Sequence, residues 1–128
     1  GWNNIYLGTD LSAEDLVQAV VSSKSSCLIL SVLYPLDDQS LRNQLLKIRA
    51  GIGENVEIVI NGKKSNVYSE TYKTINAKVV HDLFSMPSLL EDVRMSVLSW
   101  KKNRIYGKHK SCFILRKSVK INYLFIKF

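Results

Sequence analysis

The stretch GWNNIYLGTDLSAEDLV, residues 1–17, decides the fold class. Its first half, NNIYLG (3–8), is a short apolar run closed by Gly8, which reads as a strand. Ser12 then stands three residues before Asp15, a variant of the capping box. Leu16, Val17, Ala19 and Val20 follow as one face of a helix. A strand that turns at once into a capped helix is the unit from which parallel sheets are built.

The unit recurs along the chain. SCLILSVLY (26–34) is nearly continuously apolar, the pattern of a strand covered on both faces, and Pro35 ends it. Asp37, Asp38 or Ser40 opens a second helix, with Leu41, Leu45 and Ile48 at i, i+4 and i+7. Gly51 and Gly53 are expected to stop that helix. VEIVIN (56–61) is a third strand running into Gly62, and the polar KKSNVYSETYKTIN (63–76) has room for a short helix. AKVVHD (77–82) reads as a short fourth strand. Pro87 near a helix start, followed by Leu90, Val93, Val97 and Trp100, predicts a final amphipathic helix. The expected fold is α/β, a doubly wound, flavodoxin-like parallel sheet with right-handed crossovers and helices on both faces.

Composition agrees with a single globular domain: 46% of the 128 residues are hydrophobic and 23% charged. No apolar run has the roughly 18 residues of a membrane span, which points to a cytoplasmic protein without a membrane partner. Cys27 and Cys112 lack metal-ligand or Cys-x-x-Cys spacing and read as reduced thiols. The net charge of +7 is unevenly spread. Residues 1–100 carry nine Lys/Arg against eleven Asp/Glu, whereas 101–128 carry nine Lys/Arg and no acid.

In an open parallel sheet, ligands bind at the carboxyl ends of the strands. The segments to weigh are therefore Gly8–Asp10, Ser31–Pro35, Asn61–Lys64 and His81–Leu83. Ser31 interrupts an apolar strand, where its hydroxyl either meets a ligand or bonds to neighbouring backbone. Asn61-Gly62 is either an ordinary turn or a place where a ligand approaches the backbone. His81 has no second His, Cys or paired carboxylate beside it in sequence. The chain contains no Gly-x-Ser-x-Gly elbow, no Gly-x-Gly-x-x-Gly and no phosphate-binding Gly-x-x-x-x-Gly-Lys-Ser/Thr loop. No enzyme is assembled by these motifs.

Taken together, GW-x-x-x-YLG, the helix S-x-EDLVQAV, LSVLYP and VINGKKS resemble the cobalamin (vitamin B12)-binding domain. The nearest version is that of MerR-type transcriptional regulators. Ser31 and Leu33 match the family's Ser-x-Leu segment. Asn61 stands where the first Gly of a Gly-Gly segment is usual, and Gly62 matches the second. The 27 residues between Leu33 and Asn61 agree with the family spacing, and the resemblance covers residues 1 to about 100.

The resemblance implies a ligand-sensing domain that acts by ligand-dependent assembly rather than catalysis. Cobalamin would be its cofactor, with Ser31, Leu33, Asn61, Gly62 and, more remotely, His81 lining the slot for the nucleotide tail. An Asn side chain at 61 narrows that slot. The implied partners are an upstream helical bundle and DNA-binding domain, and a second copy in a homo-oligomer. The family's cobalt-ligating Asp-x-His-x-x-Gly loop is not in this sequence, and neither His81 nor His109 matches it. By this resemblance residues 1–17 are a second strand and helix, so that a first strand, that loop and a first helix are expected upstream. In the order 2-1-3-4-5 that first strand lies between the second and third, and its place must be filled. A corrinoid carrier of a methyltransferase system is the neighbouring alternative.

Residues 101–128 form a basic, apolar tail with two strand-like stretches, SCFILRKSV (111–119) and KINYLFIKF (120–128). Four readings stay open. It is a phosphate- and base-contacting arm for nucleic acid, a strand that completes the sheet, a solvated tail, or unselected sequence of the kind out-of-frame translation of AT-rich DNA gives.

Overall fold

The computed structural model describes residues 2–9, 11–32, 38–62, 66–82, 84–106 and 121–127. In chain order the elements are β1 (Trp2–Thr9), α1 (Ala13–Ser23), β2 (Cys27–Val32), α2 (Gln39–Ile52) and β3 (Glu57–Gly62). A 3-10 turn (Asn66–Tyr68) leads into α3 (Ser69–Thr74), followed by β4 (Ala77–Val80), α4 (Met86–Tyr106) and β5 (Ile121–Lys127).

The strands form one parallel sheet in the order β1-β5-β2-β3-β4. The last strand in sequence is therefore the one between β1 and β2. Every residue of β2 is buried, as a strand covered on both faces requires. Residues of alternate parity face opposite ways. Leu28, Leu30, Val32, Ile58 and Ile60 form one core with Leu16 and Val20 of α1, Leu41, Leu45 and Ile48 of α2, and Tyr68, Tyr72 and Ile75 around α3. Cys27, Ile29, Val59 and Val80 form the other core with Val93, Met86, Leu89 and Leu90 of α4. Right-handed crossovers explain the division: the chain moves one way across the sheet through α1–α3 and returns through α4 on the opposite face.

The helix ends follow from local chemistry. Ser12 caps α1, its Oγ accepting from the Asp15 N–H at 3.1 Å. Of the three candidates for the start of α2, Asp38 is the cap and accepts from the Ser40 N–H at 2.8 Å. Gly51 does not stop α2. It lies inside the helix, where Val17 of α1 packs so closely that a Cβ at 51 would stand 2.6 Å from Val17 Cγ2. Gly53, at φ +74°, is the residue that ends the helix.

The fourth strand is shorter than AKVVHD suggests, because His81 and Asp82 have already left the sheet. Asp82 instead prepares α4, its carboxylate accepting from the Ser85 N–H at 2.8 Å and the Ser85 hydroxyl at 2.7 Å. These bonds hold its carboxyl below the usual carboxylate range. The polar segment 63–76 contains the expected short helix, and it also buries Tyr68, Tyr72 and Ile75. The Tyr68 hydroxyl accepts from the Asp38 N–H at 2.9 Å, which joins this segment to the start of α2. Val97 and Trp100 lie within α4, but their side chains fall outside the described set, as does SCFILRKSV. α4 itself runs on to Tyr106.

Within the tail, residues 121–127 form β5 and stand inside the sheet. β5 pairs in parallel with β1 on one side and β2 on the other. Its run INYLFIK has the β-branched and aromatic composition that strands favour.

Candidate functional site

The carboxyl edge of the sheet brings together most of the residues singled out in the sequence. Ser31, the fifth residue of β2, is in register with Asn61 of β3, and Val32 with Gly62. By alternation Ser31 and Asn61 share the face of Cys27, Ile29 and Val59, which α4 covers. Ser31 is 7% exposed, and among the described residues its hydroxyl has no hydrogen-bond partner. Asn61 beside it is half-buried. A buried hydroxyl left without a partner costs about 1–3 kcal/mol, so Ser31 is the polar side chain to weigh among the described residues of this edge.

The remaining candidates divide. Leu33 lies outside the described residues. His81 is exposed in the bend after β4, the strand beyond β3, so it stands at least two strand spacings, roughly 10 Å, from Ser31. Its neighbour Asp82 is engaged with Ser85, so Ser31, His81 and an aspartate do not converge. Gly8, at φ +90°, accompanies a bulge in β1: Tyr6 pairs with Phe125 and Gly8 with Ile126, leaving Leu7 unpaired in the ladder. The chain then places Thr9 opposite Lys127.

Lys127, the last residue of β5, was not singled out in the sequence. It pairs with Thr9 on one side and Ser31 on the other, a position that only the insertion of β5 creates. A lysine ending an apolar strand was visible in KINYLFIKF; where that strand inserts was not.

Among the described residues no three His, Cys, Asp or Glu side chains gather as a metal site. Cys27 sits at the opposite end of β2, wholly buried, its thiol pushed up to about 12 by burial and then by Glu57. Such a thiol is a packing group rather than a nucleophile.

Fold and edge thus define a parallel α/β domain with Ser31 and Asn61 side by side at the carboxyl ends of its strands. No protein-family model, no curated protein and no solved structure matches the chain.

Proposed function

We propose that this chain is a cobalamin-binding sensor domain of a transcriptional regulator, of the flavodoxin-like type, working by ligand-dependent assembly rather than catalysis. The observation that carries the reading is the buried Ser31 hydroxyl beside Asn61 at the carboxyl edge, which has no hydrogen-bond partner among the described residues. A ring nitrogen on the nucleotide end of cobalamin is the kind of acceptor that would satisfy it. The strand order supports the same reading, since one strand stands between β1 and β2 as in the order 2-1-3-4-5.

Ser31, Asn61, Gly62 and Leu33 would hold the nucleotide end, with Asn61 restricting the slot to a close-fitting ring. When bound, cobalamin supplies a corrin-held cobalt whose ligand state changes with light or reaction. The protein's part is to bind the tail and exclude water from Ser31. In the intact regulator, an upstream helical bundle and DNA-binding domain would read out occupancy through homo-oligomerisation in the cytoplasm.

Titration of the chain with cobalamin under dim light, followed by absorbance and size exclusion, tests the proposal. Co-elution of cobalamin with a spectral change supports it, and the Ser31→Val variant should lose both. Absence of co-elution and of any spectral change removes cobalamin binding from this chain.

A further inference from the structure

The face of the sheet under α4 changes character at one level. β2 presents Cys27 and Ile29 there and then Ser31, while β3 presents Val59 and then Asn61. Ile29 is the Cα partner of Val59 and Ser31 of Asn61, so an apolar pair gives way to a polar pair at the carboxyl end. On its other side Asn61 has the buried Val80 of β4 as its partner. Met86, Leu89 and Leu90 of α4 pack over the same face.

Ser31 is 7% exposed and Asn61 half-buried, and among the described residues neither the hydroxyl nor the carboxamide has a hydrogen-bond partner. The two groups ask for different things. A hydroxyl is satisfied by one ring nitrogen, whereas a carboxamide sets an acceptor and a donor side by side. An adenine edge is the complement of the second, with its exocyclic amine beside a ring nitrogen, and Asn pairs with it through two hydrogen bonds. Dimethylbenzimidazole, the base of the cobalamin nucleotide, has one free ring nitrogen and an otherwise apolar edge. It would satisfy Ser31 and leave the Asn61 amide desolvated without a partner. Adjacent strands stand about 4.8 Å apart, so one planar base can meet both side chains.

We propose that Asn61 sets the base specificity of the site: its carboxamide pairs with the amine and adjacent ring nitrogen of an adenine-type base, while Ser31 bonds a ring nitrogen of any base. The inference rests on the reading of this edge as the ligand site, and it names the nucleotide base that the site prefers. An adenine-bearing corrinoid and a free adenine nucleoside present the same chemistry.

The test is equilibrium titration of the full chain, under dim light, with cobalamin, with the corrinoid carrying adenine in place of dimethylbenzimidazole, and with adenosine. Wild type, Asn61→Leu and Ser31→Ala are compared, with melting temperatures measured alongside. Wild type should bind the adenine-bearing corrinoid about 10- to 100-fold more tightly than cobalamin, the range for one base-reading pair. Asn61→Leu should abolish that preference, whereas Ser31→Ala should weaken both corrinoids alike. If Asn61→Leu does not fold, the wild-type preference alone decides. Equal binding of the two corrinoids by wild type, or a preference that survives Asn61→Leu, overturns the inference and leaves the cobalamin reading standing. Asn61-dependent adenosine binding without binding of either corrinoid does the reverse. Binding of none of the three probes overturns both.

Discussion

Arg49 of α2 donates from Nε to the carbonyl oxygen of Ile75 at 2.6 Å, tying α2 to the turn before β4. Its Nη1 donates to the carbonyls of Gly53 and Val56, each at 2.8 Å, so one buried guanidinium gathers three chain segments. Arg49→Met should fill similar volume but leave these carbonyls without donors. A loss of about 2–4 kcal/mol in urea-unfolding stability is expected. A loss below about 0.5 kcal/mol would mean the clip is not formed.

Gly51→Ala offers a test of opposite intuition. Alanine is the better helix former by about 1 kcal/mol, yet its Cβ would stand 2.6 and 2.7 Å from the two stiff γ-methyls of Val17. Overpacking of about 1–3 kcal/mol should prevail and destabilise the protein. Adding Val17→Ala should recover part of the loss, a coupling that a double-mutant cycle reads directly. Additive effects would contradict the close α1–α2 contact.

Stability should fall at alkaline pH. Burial raises the Cys27 thiol from 9.0 to about 12, and burial followed by Tyr68 raises the Tyr72 hydroxyl from 10.0 to about 12. Both groups are acids whose folded value exceeds the unfolded one. Their stabilisation is present below the unfolded values and is lost as pH rises toward the folded ones. Between about pH 9 and 11 the unfolded chain binds fewer protons, and Cys27 alone contributes a decline of at most about 1.4 kcal/mol per pH unit. Urea midpoints should show this decline, and Cys27→Ala should flatten it. In a Cys112→Ser background Cys27 should react with a thiol reagent only on unfolding.

The place of β5 can be checked by a covalent link. Cys27 and Tyr123 are Cα partners on adjacent parallel strands, within the usual disulfide range of about 4.4–6.8 Å. In the Cys112→Ser background, Tyr123→Cys should form an intramolecular disulfide when refolded under oxidising conditions. Leu124→Cys, whose partner is Leu28, should not. The opposite pattern would shift or exclude β5 from this register.

These tests separate what the sequence announces from what only folding reveals. The β-α units were legible because buried strands such as CLILSV and the spacing of Leu41, Leu45 and Ile48 leave few alternatives. Ser12 and Gly53 were legible as caps because their chemistry is local. Gly51 was not, since only the approach of Val17 from another helix explains it. Ser31 and Asn61 could each be named, but their register across β2 and β3 fixes them as neighbours. Lys127 joined them through a pairing over about a hundred residues of chain, which no local pattern encodes. The polar segment around Tyr68 concealed buried aromatics because its exposed residues dominate its composition.

On the proposed function, ligand is held at the carboxyl edge beside Ser31 and Asn61. Backbone amide shifts recorded during a cobalamin titration address it most directly. Saturable changes should concentrate at Thr9, Ser31, Asn61 and Gly62, with Cys27 and the Arg49–Ile75 contact unmoved. Saturable changes at that opposite end, with the Ser31 row silent, would contradict it.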